Sequence, residues 1–180
     1  MVCGAILRAA VLSCLVGATW CAPAAAANRA GTARSQIVTP IAVTQVRDLN
    51  FGSVIKSTTA GTVTINAQTG ARTRTGGAQV LGSVTSPSAA FQATGTAGRL
   101  FRLTLNAGTV TLNRVGGGAT MNLNTLRVSH NGAAQQTAPR NFTLPASGVS
   151  NIAVGGRLNV GANQLDGLYS GTFDVTIDYQ

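Results

Sequence analysis

From Tyr169 to Tyr179 the chain alternates residue by residue. Tyr169, Gly171, Phe173, Val175, Ile177 and Tyr179 fall on one face, and Ser170, Thr172, Asp174, Thr176 and Asp178 on the other. A period of two is the period of a strand, so this spacing predicts one long carboxy-terminal core strand with a single buried face. Phe101, Leu103 and Leu105 alternate with Arg102 and Thr104 in the same way. Shorter runs predict further strands around Val63 and Ile65, at 79–84, around Phe91, at 109–113, 121–129, 141–144, 150–154 and 157–160. Gly, Asn and Pro clusters separate them, at GARTRTGG, SPS, GTAG, NAG, GGG, HNG, PASG and GANQLDG. Strands at such short, regular intervals predict an all-β protein, an antiparallel two-sheet β-sandwich with a barrel as the alternative. No segment beyond the first thirty residues sustains a helical period over three turns, so almost no helix is expected in the mature chain.

The first residues follow a different pattern. One positive charge at Arg8, an apolar run from Ala9 to Ala18 and a small-residue stretch ending Ala25-Ala26-Ala27 predict a secretory signal over 1–27. The apolar run is shorter than the ~20 residues a membrane-spanning helix needs. Cleavage after Ala27 removes Cys3, Cys14 and Cys21, leaving an exported chain without cysteine. Residues 28–36 contain almost no large apolar side chains and read as a flexible extension, which leaves 37–180 as a single domain of ordinary size.

Composition narrows the functional classes. Of 180 residues 9% are charged, Glu is absent and Lys56 is the only lysine. Thirteen basic residues less Arg8, against four aspartates, leave a net charge of +8 beyond the signal. The arginines are scattered singly and no aromatic residues alternate with them, so no nucleic-acid partner is expected. They read instead as outward charges that keep a weakly charged β-protein soluble.

Catalytic candidates are few. His130, the only histidine, lies in SHNG, a turn signature, and is expected to face water. Asp174 and Asp178 are four apart on the outer face of a strand, roughly 13 Å by strand rise, too far for a shared metal. Ser53-Val54-Ile55-Lys56 matches S-x-x-K, yet on a strand positions i and i+3 face opposite sides and the nucleophile–base pairing fails. Gly116–Gly118 lacks the Gly-Lys-Ser/Thr of a phosphate loop and reads as a turn. Asn141-Phe142-Thr143 is a glycosylation sequon, relevant only in a host that glycosylates. No catalytic residue, metal site or cofactor is assigned, and the chain is not expected to be an enzyme.

The segments PIAVTQVRDLNFGSV, GTVTI, ATGTAGRLFRLTL and IAVGGRLNVGANQLDGLYSGTFDVTIDY together resemble a family of secreted bacterial pilin-like domains. That family is distantly similar to spore coat protein U and to chaperone–usher pilins of the Mat/Ecp type. The resemblance covers about Ile37 to Tyr179 and implies an immunoglobulin-like sandwich. It also implies a structural subunit of a fimbria or surface layer, located from the periplasm to the cell surface or outside the cell. Its implied partners are other copies or other pilus subunits, with a periplasmic chaperone and an outer-membrane usher.

Such subunits assemble by strand addition, in which a neighbour's extended segment fills a groove left by a missing strand. Ile37, Ile41 and Val43 share one face of an amino-terminal stretch that would serve as the donor. The same stretch, 37–46, equally reads as the first strand of a self-complete sandwich, and Pro40 suits either edge position. A monomeric secreted binding or adhesin module is the alternative function. Its loops would have to bind without the aromatic platforms usual for sugars.

Overall fold

The computed structural model describes residues 29, 31–84, 87–105 and 108–180. The predicted signal over 1–27 lies outside the described residues. Ile37–Gln180 forms one compact unit, and the chain up to Gln36 belongs to another. Within the latter, residues 31–36 are exposed and carry no strand.

The fold is an all-β, immunoglobulin-like antiparallel sandwich, with no helix among the described residues. Its strands are β1 (Ala42–Arg47), β2 (Ser53–Ile55), β3 (Gly61–Ile65), β4 (Arg72–Gly76), β5 (Gln79–Leu81), β6 (Ala89–Thr94) and β7 (Leu100–Leu105). They continue with β8 (Val110–Arg114), β9 (Thr120–His130), β10 (Arg140–Thr143), β11 (Val149–Val160), β12 (Tyr169–Ser170) and β13 (Val175–Tyr179). One large sheet runs β1-β6-β11-β9-β8-β12, with β3 joined to β11 and β4 to β3. The second layer holds the sheet β10-β7-β13 and the pair β2-β5.

The twelve-residue β11 is the spine. Its first half pairs with β6 and its second half with β3, while β9 lies along its other edge with a bulge between Gly155 and Arg157. Gly155 is required there: a Cβ would stand 2.2 Å from the Ile65 carbonyl oxygen and 2.7 Å from the Ala67 nitrogen. Alternation then places Ile152, Val154, Leu158, Val63, Ile65, Leu123 and Val128 inward, in one core with Phe101, Leu103 and Leu105 of β7. Phe101 and Leu103 are fully buried, as their alternation predicts.

Three expectations are corrected. The carboxy-terminal strand is two strands. Tyr169-Ser170 pairs with β8 in the large sheet, and Val175–Tyr179 pairs with β7 in the other. The chain crosses between layers where Gly171 lies so close to β8 that a Cβ would stand 2.6 Å from the Thr111 carbonyl oxygen. The face assignment survives the break, with Ile177 buried and Tyr169, Phe173, Val175 and Tyr179 half-buried.

The second correction concerns GARTRTGG, which is a strand: Arg72–Gly76 pairs with β3 throughout. The third concerns Ile37, Ile41 and Val43. Ala42–Arg47 is an edge strand of its own domain, pairing with β6. Ile41 packs against the core and Val43 lies opposite buried Ala93, whereas Ile37 is 96% exposed and shares no face with them. A hydroxyl latches this start of the domain to its end. Tyr179 Oη donates to the Thr39 carbonyl (2.8 Å) and accepts from the Thr96 amide (2.7 Å).

Candidate functional site: a lateral apolar groove

In the second layer β13 hydrogen-bonds only to β7, and β2 only to β5, so each leaves one edge without a strand partner. Along this side of the sandwich the inward-facing residues remain partly uncovered. Val43 on β1, Phe173 just before β13 and Val175 at its start point toward the core yet stay accessible. Phe173 finds one partner, meeting the ring of Phe91 edge-on with centroids 6.1 Å apart.

Two adjoining cavities of about 400 and about 390 Å3 make this side a groove, sharing Leu49, Phe51, Leu112 and Tyr169. One bank is the chain from Leu49 through β2 to Lys56, and the other is the chain from Leu165 to Phe173. The floor is the inner face of the large sheet, from Leu112, Met121, Leu123, Leu158 and Val160. Ile55, Leu165 and Leu168 stand exposed at the rim.

Both banks are fixed by specific hydrogen bonds. Arg72 Nη1 donates to the Phe51 carbonyl at 2.8 Å, and the Asn163 amide donates to the Ser57 carbonyl at 2.7 Å. Arg114 Nε donates to the Asp166 carbonyl at 2.6 Å and its Nη1 to the Gly117 carbonyl at 3.1 Å. Tyr169 Oη donates to the Leu165 carbonyl (2.7 Å) and accepts from Gln164 Nε2 (2.8 Å), so one residue of the predicted carboxy-terminal strand props the groove wall. Asp48, Asp166 and Lys56 are the charged residues of the lining.

Of the residues singled out in sequence, Tyr169 and Phe173 lie in the groove, and Val175, Ile177 and Tyr179 continue from it along β13. Ile37 lies apart from them. Residues 49–52, Leu165 and Leu168 were not singled out as site residues, and 53–55 only within the S-x-x-K match. Leu165 and Leu168 flank Asp166-Gly167, and two large apolar residues around a turn signature are the signal that points to a surface in need of a partner.

Ser53 and Lys56 are both exposed, and Ser53 lies on a strand as expected. Asp174, Asp178 and Asn141 are exposed, and Gly116–Gly118 is the positive-φ link between β8 and β9. Among the described residues no three of His, Cys, Asp and Glu converge as metal ligands.

His130 departs from its predicted exposure. It is the last residue of β9, opposite buried Ile152, and the turn begins one residue later at Asn131. Its ring stacks on Phe142 (centroids 4.5 Å apart), meets Phe101 edge-on and places Nε2 2.9 Å from Ser150 Oγ. Burial holds its pKa below the ordinary histidine value. Ser150 is fully buried and His130 half-buried, so the contact belongs to the packing of β9 and β11 against Phe101 and Phe142.

Fold and groove together define an all-β sandwich with a partly uncovered apolar floor along one side. The sequence matches the domain of unknown function DUF4402 over residues 41–179, and the chain belongs to that family. No curated protein matches it.

Proposed function

We propose that the protein is a non-catalytic structural subunit of a fimbria or surface layer, exported to the cell surface and assembled by strand addition. The observation that carries this reading is the lateral groove, with its apolar floor and strand edges that lack a partner in the second layer. An extended segment laid along it would satisfy backbone groups and cover apolar side chains at once. In a neighbouring copy the stretch around Ile37, whose side chain is 96% exposed, is the candidate to be laid there. A periplasmic chaperone and an outer-membrane usher would hold the groove before assembly, in keeping with the resemblance to Mat/Ecp-type pilins and spore coat protein U.

A second reading, a monomeric adhesin-like module, is favoured by β1, which completes the large sheet from within the same chain. Ile37 separates the two. It is 96% exposed, so Ile37→Asp should change the unfolding free energy of the monomer by no more than about 0.5 kcal/mol. Under strand addition the same substitution abolishes concentration-dependent polymers seen by size exclusion and electron microscopy. A full-length protein that stays monomeric at high concentration, with Ile37→Asp indistinguishable from it, would overturn the assembly mechanism and put the binding module first.

A further inference from the structure

The outer face of the large sheet has an unusual chemistry. Across β4, β3, β11, β9 and β8 the outward residues in register are Thr75, Thr62, Asn159, Asn122 and Thr111. The next row reads Thr73, Thr64, Arg157 and Asn124, and on the other flank Thr120, Asn113 and Ser170 align. No acid and no large apolar residue interrupts these rows, and Arg157 is their one charge. Threonine is common in strands, but asparagine is depleted there, so four outward asparagines on three adjacent strands are not explained by strand propensity.

Further along the same face Thr44, Gln92 and Asn151 form another rung. Beside it lies a cleft of about 650 Å3, floored by the small residues Ala90 and Ala153 and walled by Gln68 and Ser88. This volume lies within the ordinary range of a small-molecule site. The side-chain amides of Gln92 and Asn151 have no hydrogen-bond partner among the described residues. Gln68 Nε2 is spent on the Gly132 carbonyl at 2.9 Å, which leaves its oxygen to accept.

We propose that this face binds a neutral, hydroxyl-rich polysaccharide, seated in the cleft over Ala90 and Ala153 and extended along the Thr/Asn rows. Amides and hydroxyls both donate and accept, as sugar hydroxyls do, and strand spacing repeats them at ~4.8 Å across the sheet. An anionic polymer would need clustered cations, whereas Arg157 in the rows, Arg127 opposite Gly155 and Arg47 in the cleft lie on three different strands, and Arg127 and Arg47 already donate to the Thr137 hydroxyl and the Ser88 carbonyl. With no aromatic platform each site binds weakly. The site functions in a monomer as in a fibre, and only the gain from repeating it along a fibre rests on the subunit reading.

The test is affinity electrophoresis of the full chain through gels containing dextran, xyloglucan or alginate, at low and high salt. The expected result is retardation by a neutral polysaccharide that salt does not reverse. Gln92→Ala/Asn151→Ala should weaken it about tenfold, the loss of two hydrogen-bonding groups, while melting temperature holds because both side chains are exposed. Thr176→Ala, on the outer face of the other layer, should leave retardation unchanged. Unaltered mobility in both neutral gels overturns the proposal. So does retardation by alginate alone that salt abolishes, which would assign the effect to the arginines. So too does a double variant that binds as well as the parent, or one that loses only self-association.

Discussion

Phe101 has no accessible surface and touches two other rings, His130 at 5.9 Å and Phe142 at 5.9 Å between centroids. Replacing it by alanine removes the largest fully buried side chain, and the expected loss in urea-derived stability is about 3–5 kcal/mol. Thr176→Ala, on the outer face of β13, is expected to stay within about 0.5 kcal/mol. Equal effects would show that the inner and outer faces of this layer are misassigned.

His130 predicts a pH dependence whose sign follows from its burial. Its pKa is lowered in the folded state, so the unfolded chain binds more protons in acid. Stability is therefore full above the unfolded value of about 6.5 and falls as pH drops through the lower folded value. His130 is the only histidine of the chain. Urea titrations between pH 8 and 5 should show the decline, and His130→Phe should flatten it. A slope that persists in the variant would assign the effect elsewhere.

At the scale of elements, Gly155 is the point where β11 changes partners from β6 to β3. A methyl group there meets backbone atoms that cannot yield as a flexible side chain would, so Gly155→Ala should cost about 1–3 kcal/mol. Gly108, with open space around its Cβ position, is the control and should tolerate alanine.

Elements also show what the sequence could and could not reveal. β7 and β13 were legible because each buries one face and exposes the other, which is what a period of two reports. β4 was not, since RTRTG holds no large apolar residue and is a strand by virtue of pairing with β3. The break between Ser170 and Val175 was hidden as well, because side-chain alternation continues through a layer crossing that only backbone pairing distinguishes. His130 was misplaced through its neighbours: Asn131-Gly132 signals the turn correctly, but the strand runs up to its very edge. The groove was half legible. Tyr169 and Phe173 follow from periodicity, whereas the opposite bank comes from a non-repeating stretch whose role depends on what it folds against.

At the scale of the molecule, the domain over 37–180 has no cysteine and is held by packing and strand pairing. All three cysteines, Cys3, Cys14 and Cys21, precede Asn28. A chain beginning at Asn28 should therefore melt at the same temperature with and without reductant, and its circular dichroism should lack the paired helical minima. A shift on reduction would show that the chain measured still carries its cysteine-containing first residues.

The latch at Tyr179 bears on the timing of synthesis. β13 is made after every other strand of the sandwich, yet it supplies one of the two neighbours of β7, whose Phe101 and Leu103 are the most deeply buried residues of their layer. Its final tyrosine also holds the Thr39 carbonyl, 140 positions earlier. A nascent chain with β13 still inside the ribosomal exit tunnel lacks both the edge of that layer and the clasp on the beginning of the domain. The native domain can thus close only after Tyr179 is free to pair, which for an exported chain, as proposed above, comes after the membrane has been crossed. A product cut short before Val175 would lose the closing strand of the sandwich, leaving an aggregation-prone edge. Folding is in this sense a check that the domain has been translated to its end.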